Sequence, residues 1–218
     1  MFATPCFAFR PPWAQTGITE HIMKNLIEEV LKHEVYPAMG CTEPVAVAFA
    51  AATAANLLKG RTTSVTVTTD PGTYKNGLAV AIPNTRGEKG NLLAAAIGSV
   101  VRKPELGAEL FKGLPPARLK EAAALVGSGR ARILIDYKRR GIYIAAEVKA
   151  GRDSAVCVLE GSHKQVSLLR HNAKIIVKTG CSGKQPRPPY KEALRKATLK
   201  DLFREAERVT PEQLAYIK

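Results

Sequence analysis

Between Pro44 and Leu58 the chain reads Pro-Val-Ala-Val-Ala-Phe-Ala-Ala-Ala-Thr-Ala-Ala-Asn-Leu-Leu, ending before Gly60. A helix of this composition carries small apolar groups on every side, so it has no face suited to water and must be buried all round. The stretch is too short to span a bilayer, which takes roughly 20 apolar residues, and it contains Thr53 and Asn56. Protein must therefore enclose it. With 218 residues, 45% of them hydrophobic, the chain has the material for such a core, in one domain or two.

The flanking patterns define an α+β order. Leu26, Ile27, Val30 and Leu31 share one helical face, which predicts a helix from Met23 to Val35 with His33 as a helix-end residue. Alternating Val65 and Val67 predict a strand over Arg61–Thr69. A turn at Asp70-Pro71-Gly72 and polar loops around a short apolar run, Ala79–Ile82, come next. Helices are then expected at Gly90–Val101, Leu106–Phe111 and Pro116–Val126. After Gly127-Ser128-Gly129 the texture changes to five short strands, 132–137, 141–149, 154–159, 165–169 and 174–178, read as an antiparallel meander. A Pro- and Lys-rich linker precedes amphipathic helices at Tyr190–Arg208 and Pro211–Ile217. The domain expectation is a disordered leader over 1–22, an α+β domain over 23–181, and a linker with terminal helices over 182–218. Arg10, Pro11 and Pro12 break any apolar run in the leader, so it does not read as a secretion signal.

Four scattered cysteines, Cys6, Cys41, Cys157 and Cys181, form neither a CxxC pair nor a disulfide framework, which points to a reducing cytoplasm. They do not make a complete zinc or iron–sulfur site by themselves. The net charge of +14 raises nucleic acid as a partner. Its spread over 130–140, 164–178 and 184–200, with few aromatics interleaved, fits a solvated basic surface that also draws anionic small molecules.

Chemistry concentrates in Gly-bearing loops. Pro37-Ala38-Met39-Gly40-Cys41-Thr42-Glu43-Pro44 sets one thiol on a Gly turn directly before the Ala-rich helix. The positive end of a helix favours thiolate, which suits a metal ligand or nucleophile. The same residues also suit an ordinary helix start with a small buried Cys. Lys75 and Asn76 beside Gly77 can clamp a carboxylate, or form a type I′ hairpin turn. Asn84 and Thr85 before Gly87 fit a binding loop or a plain turn. His163, after Gly161-Ser162, fits proton transfer or a surface turn, and His171-Asn172 fits a hairpin turn.

Taken in order, the Gly40-Cys41-Thr42-Glu43-Pro44 run, Lys75-Asn76-Gly77, Ile82-Pro83-Asn84-Thr85, Gly161-Ser162-His163 and the His171-Asn172 turn resemble the amino-terminal half of the L-cysteine desulfidase family, which is related to the iron–sulfur L-serine dehydratases. The resemblance runs from about Met23 to Lys218. It implies a β-elimination: a base takes the Cα proton, sulfide leaves from Cβ, and the aminoacrylate hydrolyses to pyruvate and ammonia. It implies a [4Fe–4S] cluster with one iron free of protein thiolates, Cys41 as a metal ligand or catalytic thiolate, and Lys75, Asn76, Gly77, Asn84 and Thr85 as substrate-binding residues. Lys75 and His163 are the further catalytic candidates.

Members of that family are about twice this long, with a helical carboxyl-terminal half that supplies more cysteines. The expected partners are accordingly an amino-acid substrate and a helical half or partner subunit lying outside this chain, with no membrane and no nucleic acid; a homo-oligomer stays open. Serine dehydratase activity, a non-catalytic amino-acid-binding protein and a basic nucleic-acid-binding protein are the alternatives.

Overall fold

The computed structural model describes residues 25–35, 40–179 and 188–214. The chain divides into two compact units, 37–183, and 1–36 together with 184–218. In the smaller unit α1 (Leu26–Glu34) buries Leu26 against Tyr190 and Ala193. The expected domain over 23–181 thus differs at its start, because the first helix packs with the terminal ones. The single helix expected over 190–208 is two helices. Thr198 accepts from the Asp201 N–H and the Asp201 carboxylate accepts from the Thr198 N–H, a capping box that starts a new helix. Residues 211–214 form a turn rather than a helix, and Cys6, Cys181 and the 1–22 leader lie outside the described residues.

The larger unit runs α2 (Thr42–Ala55), β1 (Ser64–Thr69), α3 (Pro71–Gly77), α4 (Asn91–Val101), a 3₁₀ helix (Pro104–Glu109), α5 (Pro116–Gly127), then β2 (Ala131–Ile135), β3 (Tyr143–Ala150), β4 (Asp153–Glu160), β5 (Val166–His171) and β6 (Lys174–Lys178). In the smaller unit α6 (Pro189–Lys196) and α7 (Leu199–Ala206) complete the order. This is an α+β fold. One mixed sheet has the order β2-β1-β3-β4-β5-β6. The meander holds for β3 to β6, but β2 does not join it: β1 lies between β2 and β3, parallel to the first and antiparallel to the second. A parallel pair needs a long crossover, and α3, α4 and α5 supply it.

Strand alternation sends Val65, Val67, Ala146, Val148, Cys157 and Leu159 to one face, where all are fully buried. Helix α2 covers that face over β3 and β4, and α4 covers it over β1 and β2. Every Ala of α2 is buried, as its composition demands. The two helices run parallel and very close: a Cβ added to Gly98 would stand 2.1 Å from the Ala48 carbonyl oxygen. Their far ends are tied by Arg102, whose guanidinium donates to the carbonyls of Leu58 and Gly60 and to the Thr62 hydroxyl.

Two local expectations are corrected. Residues 73–77, expected as loop or hairpin turn, lie in α3. Asp70 caps its N-terminus, its carboxylate accepting from the Thr73 N–H at 3.0 Å and the Thr73 hydroxyl at 2.6 Å, and Pro71 occupies the first turn. Asp-Pro is a helix-start pair, and it outweighs the turn preference of Asn-Gly. The 3₁₀ helix at Pro104–Glu109 replaces the expected helix over 106–111, because Gly107 adopts φ 49° and breaks the helical path.

Candidate functional site

Cys41 is the N-cap of α2, with an extended backbone at φ −70° and ψ 145°. Gly40 before it has φ 88°, the left-handed region that favours glycine, and a Cβ there would meet the Pro83 ring closely, at 3.0 Å from Cγ. This contact seats the 83–85 loop against the thiol turn. Glu43, in the first turn of α2, turns back: the Cys41 thiol donates to its Oε2 at 2.8 Å, and the Thr42 hydroxyl donates to the same oxygen at 3.2 Å. Its other oxygen, Oε1, accepts from the Asn76 amide at 3.1 Å. Thus Glu43 joins the Gly-Cys-Thr-Glu-Pro run to the Lys-Asn-Gly run. Lys75, one residue earlier on α3, is exposed and has no partner among the described residues.

Glu43 also reverses the electrostatic expectation for the thiol. The hydrogen bond to the Glu43 carboxylate, then burial, hold the Cys41 thiol above its ordinary range. A helix end is worth about 0.3–1 kcal/mol to a nearby charge, and a charged hydrogen bond about 1.5–3 kcal/mol; the carboxylate wins. Burial works to raise Glu43 itself, but the bonds from Cys41 and Asn76 bring it below the usual carboxylate range.

The remaining predicted residues divide. Gly77 is packed against Asn91, whose Oδ1 would lie 2.0 Å from an added Cβ, while the Asn91 amide donates to the Thr73 carbonyl at 2.9 Å. The Asn84 amide donates to the Phe111 carbonyl at 2.8 Å, and the buried Thr85 hydroxyl donates to the Ile82 carbonyl at 2.6 Å. Both side chains therefore shape their loop from within. His163 is half-buried in the β4–β5 turn, with Gly161 at φ 75°. That turn lies at the same end of the sheet as α3, because Tyr143, paired with Glu160, donates its N–H to Asp70 at 3.0 Å. His163 makes no hydrogen bond to the other site residues. His171 bonds Asp153 at 2.7 Å beside Asn172, which has φ 50°, as a hairpin-end residue does.

Glu43 and Asn91 are the site residues that sequence reasoning left aside. A Glu in a first helical turn reads as a dipole partner, and only the fold of α3 onto α2 makes it a bridge. Asn91 Oδ1 is buried with no hydrogen-bond partner.

As a metal site, this end offers one exposed thiol. Cys157 does not join it: it lies in mid-β4, fully buried, its thiol pushed up to about 12 by burial. Among the described residues there is no group of three His, Cys, Asp or Glu side chains that can hold a metal ion. Among the described residues, Cys41 is therefore the one exposed thiol that this end can offer to a metal. No helix among the described residues is long and apolar enough to cross a membrane.

Fold and site together define an α+β protein with a thiol, a carboxylate and an amide linked at the starting end of a buried Ala-rich helix. The chain is similar to UPF0597 proteins: that of Elusimicrobium minutum is 47% identical over 89% of this chain and 46% of its own length. That of Geobacter sulfurreducens is 37% identical over 89% of the chain and 46% of its own length. The protein from Methanocella arvoryzae is 31% identical over 89% and 45%. The chain spans about half the length of the curated relatives it matches. No protein-family model and no solved structure matches it.

Proposed function

We propose that this chain is one half of a cytoplasmic, iron–sulfur-dependent L-cysteine desulfidase, which converts L-cysteine to pyruvate, ammonia and sulfide by β-elimination. The observation that carries this reading is the Glu43 bridge, which joins Cys41 and Asn76. Two separate runs that suggest the chemistry meet at one carboxylate. The length of the relatives supports a second half as the source of the remaining cluster ligands.

Within this reading Cys41 would hold one iron of the cluster, the metal displacing the proton that Glu43 favours on the free thiol. When bound, a [4Fe–4S] cluster with an iron free of protein thiolates supplies a Lewis acid for the substrate's leaving sulfur. Lys75 offers an unpaired ammonium to the substrate carboxylate. Asn76 is held by Glu43 through one N–H and keeps the other for substrate. Gly77, Asn84 and Thr85 act through the shape of the backbone they stabilise. His163 is the candidate proton carrier at this end of the sheet.

The test is anaerobic co-expression of this chain with the unmatched half of the Elusimicrobium minutum relative. Bound iron and sulfide, the visible absorbance of the cluster, and pyruvate released from L-cysteine and from L-serine are then measured. Cluster and turnover are expected with L-cysteine and lost in Cys41→Ala. Undiminished iron content and turnover in Cys41→Ala would overturn the assignment.

A further inference from the structure

At the opposite end of the larger unit lies a different concentration of charge. The fourteen residues of α2 rise about 21 Å, and beyond their C-terminal end a cleft of about 240 Å³ is lined by Lys59, Arg61, Arg102, Arg118 and Glu121. The lining carries four cations and one carboxylate, a net of three positive charges, with the Asp153 carboxylate outside the lining accepting from the Lys59 N–H at 3.4 Å. Glu121 organises two of them: its Oε1 accepts from Arg61 at 3.1 Å and its Oε2 from Arg118 at 2.8 Å. Burial works to raise the Glu121 pKa, but these bonds hold it below the usual carboxylate range, so it stays ionised.

Arg102 plays a different part. Its guanidinium is committed to the carbonyls of Leu58, Gly60 and Ser99 and to the Thr62 hydroxyl, which neutralise none of its charge. It is a fixed cation in the wall. Arg118, in the first turn of α5, also lines a neighbouring cleft of about 240 Å³ with Lys103 and Lys112. The positive end of α5 adds to the potential there.

We propose that the Lys59–Arg61–Arg102–Arg118 cleft binds the phosphate group of a small phosphorylated molecule, at a site separate from the Cys41 end. Two guanidinium forks steadied by a shared carboxylate can turn their remaining N–H donors to a tetrahedral dianion, the geometry to which Arg is suited. A mono-anionic carboxylate leaves charge unbalanced, whereas a dianion offsets most of it. The cleft is open and its Arg61 and Arg118 largely exposed, but it gathers them around one position, which sets it apart from basic residues scattered over a surface. The site is independent of the desulfidase reading.

The test is equilibrium dialysis of the whole chain against radiolabelled inorganic phosphate at low ionic strength. One saturable site is expected. Arg61→Ala removes a side chain that is 86% exposed, so folding is spared; with Arg118→Ala as the second variant, each is expected to weaken binding about tenfold to a hundredfold. Lys174→Ala on β6 and Lys75→Ala on α3 are expected to leave binding unchanged. Absence of saturable binding, an equal loss in Lys174→Ala, or a loss confined to Lys75→Ala would each overturn the proposal. Displacement of phosphate by an oligonucleotide at far lower concentration than by a phosphate monoester would overturn the small-molecule assignment.

Discussion

Replacing Gly98 by alanine sets two effects of known size against each other. Taken alone, Gly→Ala inside a helix is worth about 0.8–1 kcal/mol in favour of the folded state. The structure opposes this, because the new Cβ would stand 2.1 Å from the Ala48 carbonyl oxygen and 2.8 Å from Ala48 Cα, both backbone atoms of α2. Since approaches below 3.0 Å are not tolerated, α2 and α4 would have to part by about 0.9 Å. A gap of that order forfeits a quarter to a half of each dispersion contact of about 0.1–0.2 kcal/mol. Over about 50 atom pairs, at the middle of these ranges, the loss comes to about 3 kcal/mol. Packing therefore outweighs propensity by about 2 kcal/mol, equivalent to a fall in Tm of roughly 4–8 °C. Thermal and urea unfolding followed by circular dichroism measure it. Gly127→Ala is the control, since it too lies in a helix but has open space around it, and it should be neutral or slightly stabilising. A Gly98→Ala protein as stable as the parent would refute the close-packed α2–α4 contact.

Asp70→Asn should destabilise the larger unit by about 1.5–3 kcal/mol, since one carboxylate serves the Thr73 N–H, the Thr73 hydroxyl and the Tyr143 N–H. Burial works to raise the Asp70 pKa, but the bonds from Thr73 and Tyr143 keep it below the ordinary value. Its contribution is accordingly present above the unfolded carboxyl range and lost as pH falls through the lowered folded value. Acid titration of stability should show a shallower acid limb in Asp70→Asn, and an unchanged limb would count against this role. Glu43→Gln should lower the Cys41 pKa by removing the adjacent charge, so iodoacetamide should alkylate Cys41 faster at a fixed mildly alkaline pH. Cys157 should stay unreactive in the folded protein, and equal Cys41 rates in parent and variant would dismiss the Glu43 contact.

Much of the fold was legible because the deciding forces are local. Alanines on every side of α2 demand burial, alternating Val65 and Val67 mark a strand face, and Gly turns mark the ends of β3 to β6. Misreadings arose where two local preferences competed. Lys75-Asn76-Gly77 favours a hairpin turn, yet the Asp70-Pro71 cap upstream starts a helix that carries through it. At 197–198 the capping box of Thr198 and Asp201 divides what hydrophobic spacing alone reads as one helix.

By itself the sequence determined the α+β class, the buried Ala-rich helix and the loops in which thiol, lysine and amides reside, because composition and period act along the chain. Tertiary structure alone decided the rest. It placed β1 between β2 and β3, since strand alternation says which face is buried and nothing about which strand lies alongside. It also turned Glu43 into the link between Cys41 and Asn76, two residues 35 positions apart in sequence. Only packing of α3 against α2 brings that amide within reach of the carboxylate, and the charge so placed pushes the thiol above its ordinary range.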